Sequence, residues 1–225
     1  MRLILCLIAT ILVVGSLPGK AQGPAVNNTP PLPRMADRHP DLNGVWSGRG
    51  HADLSGGVPG GLPLTPAGKS ALASVATQYD PTGFCLYPGV TRITQSPYPI
   101  EIVARPGRVA VLYEYMRTFR VIPTDDRKHS ADPEPTFFGE SVGRWDGDTL
   151  VADVVAMNDK SWLDAAGTPH SDALHLTERY RLTDAQHLEY EVTIEDPKQA
   201  QKKIVGDNGA CAARKKGDLP DRACE

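Results

Sequence analysis

The chain has 225 residues, with 24 Lys and Arg against 27 Asp and Glu, for a formal net charge of −3. With no basic excess, it lacks the electrostatic footprint of a nucleic-acid binder. Its length suits one domain with a sizeable core.

Residues 1–23 read as a cleavable secretory leader. Arg2 supplies the positive start, residues 3–14 form a short apolar run, and Ala21 and Gly23 are the small residues a signal peptidase inspects. The apolar run falls short of the roughly 20 residues a membrane helix needs, and no later segment reaches that length. Cys6 lies inside the run, not just after it where lipidation requires it. The mature protein is therefore expected to be periplasmic or secreted, without a membrane span. Cleavage removes Arg2 and Lys20, leaving 22 basic residues against 27 acidic ones and a net charge of −5.

Three cysteines survive cleavage: Cys85, Cys211 and Cys224. An oxidising compartment permits one intrachain bridge and leaves one thiol over. Cys211–Cys224 would staple a polar tail, whereas Cys85–Cys211, the favoured pairing, would tie that tail to the body. None has the C-x-x-C or C-x-x-C-H spacing of a zinc ribbon or covalent haem.

Residues 24–40 are rich in Pro and Asn and read as a linker before a single β domain over 41–225, with a polar C-terminal tail. Residues 42–49 (LNGVWSGR) predict the first strand. The Gly-rich stretch 55–61 lacks the P-loop pattern and carries no phosphate-binding expectation. Thr65-Pro66 opens a helix, Thr as cap and Pro at the first helical position. Leu72, Val75 and Tyr79 give it one apolar face to about Tyr79, and no other helix is predicted.

From Tyr98 onward the pattern is strands. Residues 100–104 and 108–116 flank a Pro106-Gly107 turn, and 117–122 continue or bend the second strand. Residues 123–135 read as a loop. Asp146-Gly147 joins 141–145 to 148–156, and residues 173–182 and 187–195 form a last hairpin. Parity sets the register of that hairpin. Pairing Leu182 with Leu188 buries Leu176, Tyr180, Tyr190, Val192 and Ile194 together. The same register places Arg181 opposite Glu189, Arg179 opposite Glu191 and His175 opposite Glu195. It also leaves Glu178 on the apolar face, opposite Val192.

About eight short antiparallel strands and one helix imply a mainly β fold, an antiparallel β-barrel, with a β-sandwich as the alternative. Gly44-Val45-Trp46 resembles the G-x-W that opens lipocalin-like barrels. GESVGRWDGDTLVADVV, HSDALHLTERYRL and EYEVTIEDP, within residues 80–198, together resemble a pattern of secreted bacterial β proteins of unassigned function. That resemblance implies a fold and a compartment, and carries over no catalytic residue.

The candidate chemistry lies where polar residues interrupt apolar strands. His170 is read as a general base oriented by Asp164, with Asp172 beside it; a solvated turn at Thr168-Pro169-His170-Ser171 is the competing reading. Glu178 on a core face must be paired or protonated. It is read either as a catalytic acid or as the partner of an inward Arg such as Arg120. Arg120 is the expected anion holder, with Tyr113, Tyr115, Phe119 and Glu114 as ligand-binding residues beside Arg117. His170, Asp172, His175 and Glu178 raise a metal reading, but there is no H-E-x-x-H and the register sends His175 outward, so neither metal nor cofactor is expected. Ser141 in G-x-S-x-G leads into a hairpin rather than the strand-to-helix turn of a nucleophile elbow.

Three functions fit this frame. The leading one is a barrel that binds a small, partly apolar molecule and acts on it by cofactor-free acid–base chemistry, of isomerase, lyase or hydrolase type. The others are a non-catalytic carrier and a structural module of the cell envelope.

Overall fold

The described residues form nine strands, most of them on alternating apolar residues: β1 Gly44–Ser47, β2 Ile100–Arg105, β3 Arg108–Tyr113, β4 Thr118–Pro123, β5 Glu140–Asp146, β6 Thr149–Val155, β7 His175–Leu182, β8 His187–Glu195 and β9 Ile204–Arg214. The structure, a computed structural model, describes residues 31–47, 53–58, 61–76, 79–200 and 204–214, the last stretch as backbone alone. The leader, Cys224 and the side chain of Cys211 lie outside the described residues.

All ladders are antiparallel. Two four-stranded sheets, β4-β3-β2-β1 and β8-β7-β6-β5, are joined by β9, which pairs with β1 on one side and β8 on the other. The Pro106-Gly107 and Asp146-Gly147 turns close β2–β3 and β5–β6, with Gly107 and Gly147 at positive φ of 82° and 59°. The β7–β8 register is the one parity demands, with Leu182 opposite Leu188 and Glu178 opposite Val192. One core collects the inward positions of both sheets, from Ile102, Val111 and Ile122 to Leu150, Leu176, Leu188 and Ile194. Trp46 of β1 is buried there, its indole N–H donating to the Leu42 carbonyl at 3.1 Å. Each fully buried side chain of this kind contributes about 1.5–3 kcal/mol.

Several features depart from the sequence reading. The tail expected to be merely polar contains β9; its Gly, Ala, Asp and Asn residues are poor strand formers, and ladders on both sides hold it extended. A second helix, α2 (Gly89–Thr94), follows α1 (Pro66–Ala73). Its Val90, Thr91, Ile93 and Thr94 are β-branched and mask the helix, which is fixed by burying Val90, Thr91 and Ile93. α1 itself ends at Ala73, six residues before Tyr79, with Thr65 capping the Gly68 amide as expected. The end of the assigned linker packs on the domain: Arg34 makes a two-pronged ion pair with Asp148, and His39 stacks on Trp145 at 4.6 Å.

Of the two expectations for residues 117–122, continuation or bend, the structure takes the bend: a tight turn with Met116 and Arg117 at φ of 60° and 46° separates β3 from β4. Glu114, two residues past the exposed Leu112 of β3, is exposed rather than inward, and Phe119 faces outward opposite Leu112. Cys85 is an exposed free thiol in a left-handed cap position, so the favoured Cys85–Cys211 bridge is not formed.

The two end strands, β4 and β5, come together side by side, although no ladder joins them among the described residues. A Cβ on Gly143 would lie 2.7 Å from Ile122 Cγ2 and 2.9 Å from Thr124 Cγ2. Gly143→Val is accordingly expected to destabilise the protein by about 1–3 kcal/mol through overpacking, read as a lower urea midpoint. An unchanged midpoint would mean that the two strands separate easily.

Candidate functional site

The inward Glu178 and Arg120 meet in the core. Arg120 Nη2 donates to both carboxylate oxygens of Glu178, at 2.7 and 2.6 Å, and both residues are buried. Three tyrosines complete the cluster. Tyr180 and Tyr190 hydroxyls donate to Glu178 Oε1, each at 2.9 Å, and Arg120 Nε donates to the Tyr113 hydroxyl at 3.0 Å. Ser141, the serine of the accidental G-x-S-x-G, accepts from Arg120 Nη1 at 3.4 Å. Burial opposes the guanidinium charge, but the Glu178 carboxylate outweighs it and holds Arg120 well above its ordinary range. Burial, reinforced by the Glu178 charge, pushes the Tyr180 and Tyr190 phenols well up, so both stay protonated as donors. Glu178 thus adopts the paired alternative of the sequence reading.

The second group lies in the loop between β6 and β7. His170 is buried, its Nε2 2.9 Å from Ser161 Oγ and its Nδ1 3.2 Å from the Ser171 carbonyl. A carbonyl can only accept, so Nδ1 carries the proton and Nε2 accepts from the Ser161 hydroxyl. Burial lowers the His170 pKa from its ordinary 6.5. The unfolded chain then binds this proton more readily, so the stability tied to neutral His170 is complete above about pH 6.5 and is lost as pH falls.

Asp164 does not orient His170. It is buried and accepts from the Leu54 amide at 3.0 Å, the Thr168 amide at 2.9 Å and the Thr168 hydroxyl at 2.7 Å, tying the loop to residues 53–58. Asp172 is exposed and pairs with Lys198. The orienting role falls to the Ser171 carbonyl, held by Asp196, whose carboxylate accepts from the Ser171 amide at 2.6 Å and hydroxyl at 2.7 Å.

Next to Ser161 lie Gly89 and, beyond it, a group of aromatic residues. Gly89 of α2 packs against Ser161, with space for a Cβ closed off by Ser161 Oγ at 2.7 Å and the Phe137 carbonyl at 3.6 Å. Tyr87 meets Phe137 at 6.0 Å and Phe138 at 5.5 Å, while Arg92 lies 5.8 Å over the Trp162 ring. Phe138 stacks on Tyr113 at 6.4 Å, linking this group to the Arg120 cluster. Of the expected ligand residues, Tyr113 and Arg120 join the buried cluster, Tyr115 stacks on Tyr98 at 5.1 Å, and Glu114 and Phe119 stand apart and exposed. At the end of α2, Gln95 is buried with both amide atoms unpaired among the described residues. Sequence reading missed Ser161, Gln95, and the outward histidine His129, which touches Glu140 and Asp153.

No group of three His, Cys, Asp or Glu side chains among the described residues is arranged to hold a metal, and none of their helices is long and apolar enough to cross a membrane. Comparison with family models, curated proteins and solved structures found no match.

Proposed function

We propose that the chain is a secreted or periplasmic, lipocalin-like β-barrel whose rim binds a small, partly apolar molecule, with His170 as the base that acts on it. The observation that carries this reading is the buried Ser161–His170 hydrogen bond, with Gly89 packed between Ser161 and the Phe137 carbonyl of the Tyr87–Phe137–Phe138 aromatic group. A neutral imidazole with its Nδ1 proton fixed on a carbonyl presents Nε2 as a base; its lone pair accepts from the Ser161 hydroxyl, so a ligand reaches it by displacing that hydroxyl. The aromatic faces suit the apolar part of a ligand, and Arg92 supplies a cation beside them. Gln95 adds a buried donor and acceptor without partners, as a polar ligand group or an ordered water requires. Barrel closure along β4 and β5 is supported by the packing of Gly143 on Ile122 and by the reach of Arg120 from β4 to β7. Arg120 and Glu178 then serve as the polar brace of the interior, and the chemistry lies at the rim.

One observation favours the carrier alternative: Gly89 covers Ser161 Oγ closely, as in a clamp that needs no reaction. Native mass spectrometry of the protein purified from a periplasm, set against its denatured mass, tests binding first. The expected result is excess native mass of small-molecule size, lowered at least about tenfold in occupancy by His170→Ala and by Gln95→Leu. Incubation with the released compound then separates the readings. Consumption that falls about 10²–10⁴-fold in His170→Ala marks the base; binding without consumption marks a carrier. A clean apo mass, together with variants indistinguishable from the parent, would defeat both.

A further inference from the structure

On the outer face of the second sheet, five ionisable side chains alternate in one chain: Glu140 on β5, His129 in the segment between β4 and β5, Asp153 on β6, His175 on β7 and Glu195 on β8. His129 Nδ1 lies 3.1 Å from Glu140 Oε2, and its Nε2 lies 2.9 Å from Asp153 Oδ2. His175 Nε2 lies 2.8 Å from the other oxygen of Asp153, and its Nδ1 lies 3.7 Å from Glu195 Oε2. Glu140 also accepts from the Ser130 amide at 2.9 Å and hydroxyl at 2.6 Å. The cross-strand neighbour of Asp153 on β7 is Thr177, which is neutral. Within the segment itself, Arg127 pairs with Asp125 at 2.6 Å, and Asp126, Lys128, Asp132 and Glu134 face solvent or its edge.

A neutral imidazole has one donor and one acceptor nitrogen, so it can satisfy only one of two flanking carboxylates. Both His129 nitrogens face carboxylate oxygens. The arrangement is therefore complete only with His129 as imidazolium. With both histidines charged, two cations sit among three carboxylates; with both neutral, three carboxylates remain across β5 to β8, with the Arg127 charge acting on Glu140. The segment that His129 pins, residues 124–139, ends in Phe137 and Phe138, which belong to the aromatic group beyond Gly89, and Thr136 is bridged to Met157 just before the loop that holds Ser161.

We propose that residues 124–139 form a pH-sensitive strap, fastened by protonated His129 between Glu140 and Asp153 and released as the imidazole loses its proton, so that rim closure follows pH. The carboxylates agree with this direction. Burial works to raise Asp153, yet hydrogen bonds from His175 and His129 hold it below its usual range. Glu140 is held low chiefly by the Ser130 hydroxyl, with burial opposing, and further by the Ser130 amide and His129. The fastening is lost as pH rises and His129 gives up one of its two protons, and again as pH falls and Glu140 and Asp153, both held low, take one up.

Hydrogen exchange followed by mass spectrometry tests this on the full chain. Rates are corrected for intrinsic pH dependence and compared with β7–β8 peptides as an internal reference. Protection of residues 124–139 in the wild type is expected to fall at least about threefold between pH 6 and pH 8; one coupled proton allows at most about tenfold per pH unit. His129→Gln, which keeps bulk but cannot be an imidazolium, is expected to flatten that profile and leave β7–β8 protection unchanged. Wild-type protection that does not vary with pH overturns the proposal without any variant, and so does a His129→Gln profile superimposable on that of the wild type. The readout is amide exchange, so it stands or falls independently of whether His170 acts on a bound molecule.

Discussion

Arg120→Met is expected to cost about 3–5 kcal/mol, the usual consequence of leaving one member of a buried ion pair without its partner. Glu178 is fully buried, out of reach of bulk solvent, and the guanidinium meets both of its oxygens. Its remaining donors, the Tyr180 and Tyr190 hydroxyls, carry no full charge. At this chain length each kcal/mol lowers the melting temperature by about 2–4 °C. Urea denaturation should therefore show a lower midpoint at an unchanged slope. The double variant Arg120→Met with Glu178→Leu is expected to recover most of the loss, because two apolar residues of similar volume no longer face an uncompensated charge. Tyr180→Phe and Tyr190→Phe should each cost about 1 kcal/mol, the ordinary size of one hydrogen bond. A single-variant loss under about 1 kcal/mol would mean that water reaches Glu178, and the cluster would then be open to a ligand after all.

How far the sequence leads depends on how local the determinant is. Turn residues are local, so Pro106-Gly107 and Asp146-Gly147 announce their hairpins directly. Parity is nearly local, and it places Glu178 inward and orders every pair from Leu182–Leu188 to His175–Glu195. The salt bridges it foretells are realised only in part: Arg181 does meet Glu189, but Arg179 turns to Asp146 across the sheet. β9 has no such signature, because Gly, Ala and Cys carry little alternation and its extended state comes from two neighbours far away in sequence. α2 is hidden for the opposite reason, since its residues favour strands and only burial makes them helical. The site shows the same limit. His170 stands out by its chemistry, but proximity in sequence points to Asp164 as its partner. The fold spends Asp164 on the Leu54 and Thr168 amides and gives His170 a serine and a carbonyl instead. Serine and main-chain groups are common enough that no spacing rule distinguishes them beforehand.

Asp196→Ala is expected to be the other severe substitution, at about 3 kcal/mol, and to loosen His170 more than the rest of the protein. Asp196 is buried just past β8, and its carboxylate accepts from the Ser171 amide at 2.6 Å and hydroxyl at 2.7 Å, the Lys198 amide at 3.0 Å and the Gln199 amide at 3.1 Å. Alanine leaves two main-chain donors, the Ser171 and Lys198 amides, and a hydroxyl without an acceptor, while the Gln199 amide keeps the Asp196 carbonyl at 3.1 Å; the cost is about 1–3 kcal/mol for each one that water cannot reach. Rehydration at the partly exposed Lys198 end offsets some of that, which keeps the total near the lower end of the sum. Asp196→Asn retains one carbonyl oxygen but turns an NH2 toward a donor, so about half the loss is expected. The local consequence follows from the chain of contacts: Asp196 fixes Ser171, and the Ser171 carbonyl fixes the proton on His170 Nδ1. With Ser171 released, His170 should exchange between tautomers. Nitrogen NMR of labelled histidine should then show a mixed population in Asp196→Ala and a single Nδ1–H form in the wild type. If the variant melts earlier but keeps the single tautomer, Asp196 is a brace for the β8 end alone, and the Ser161 hydroxyl suffices to hold His170 in its working form.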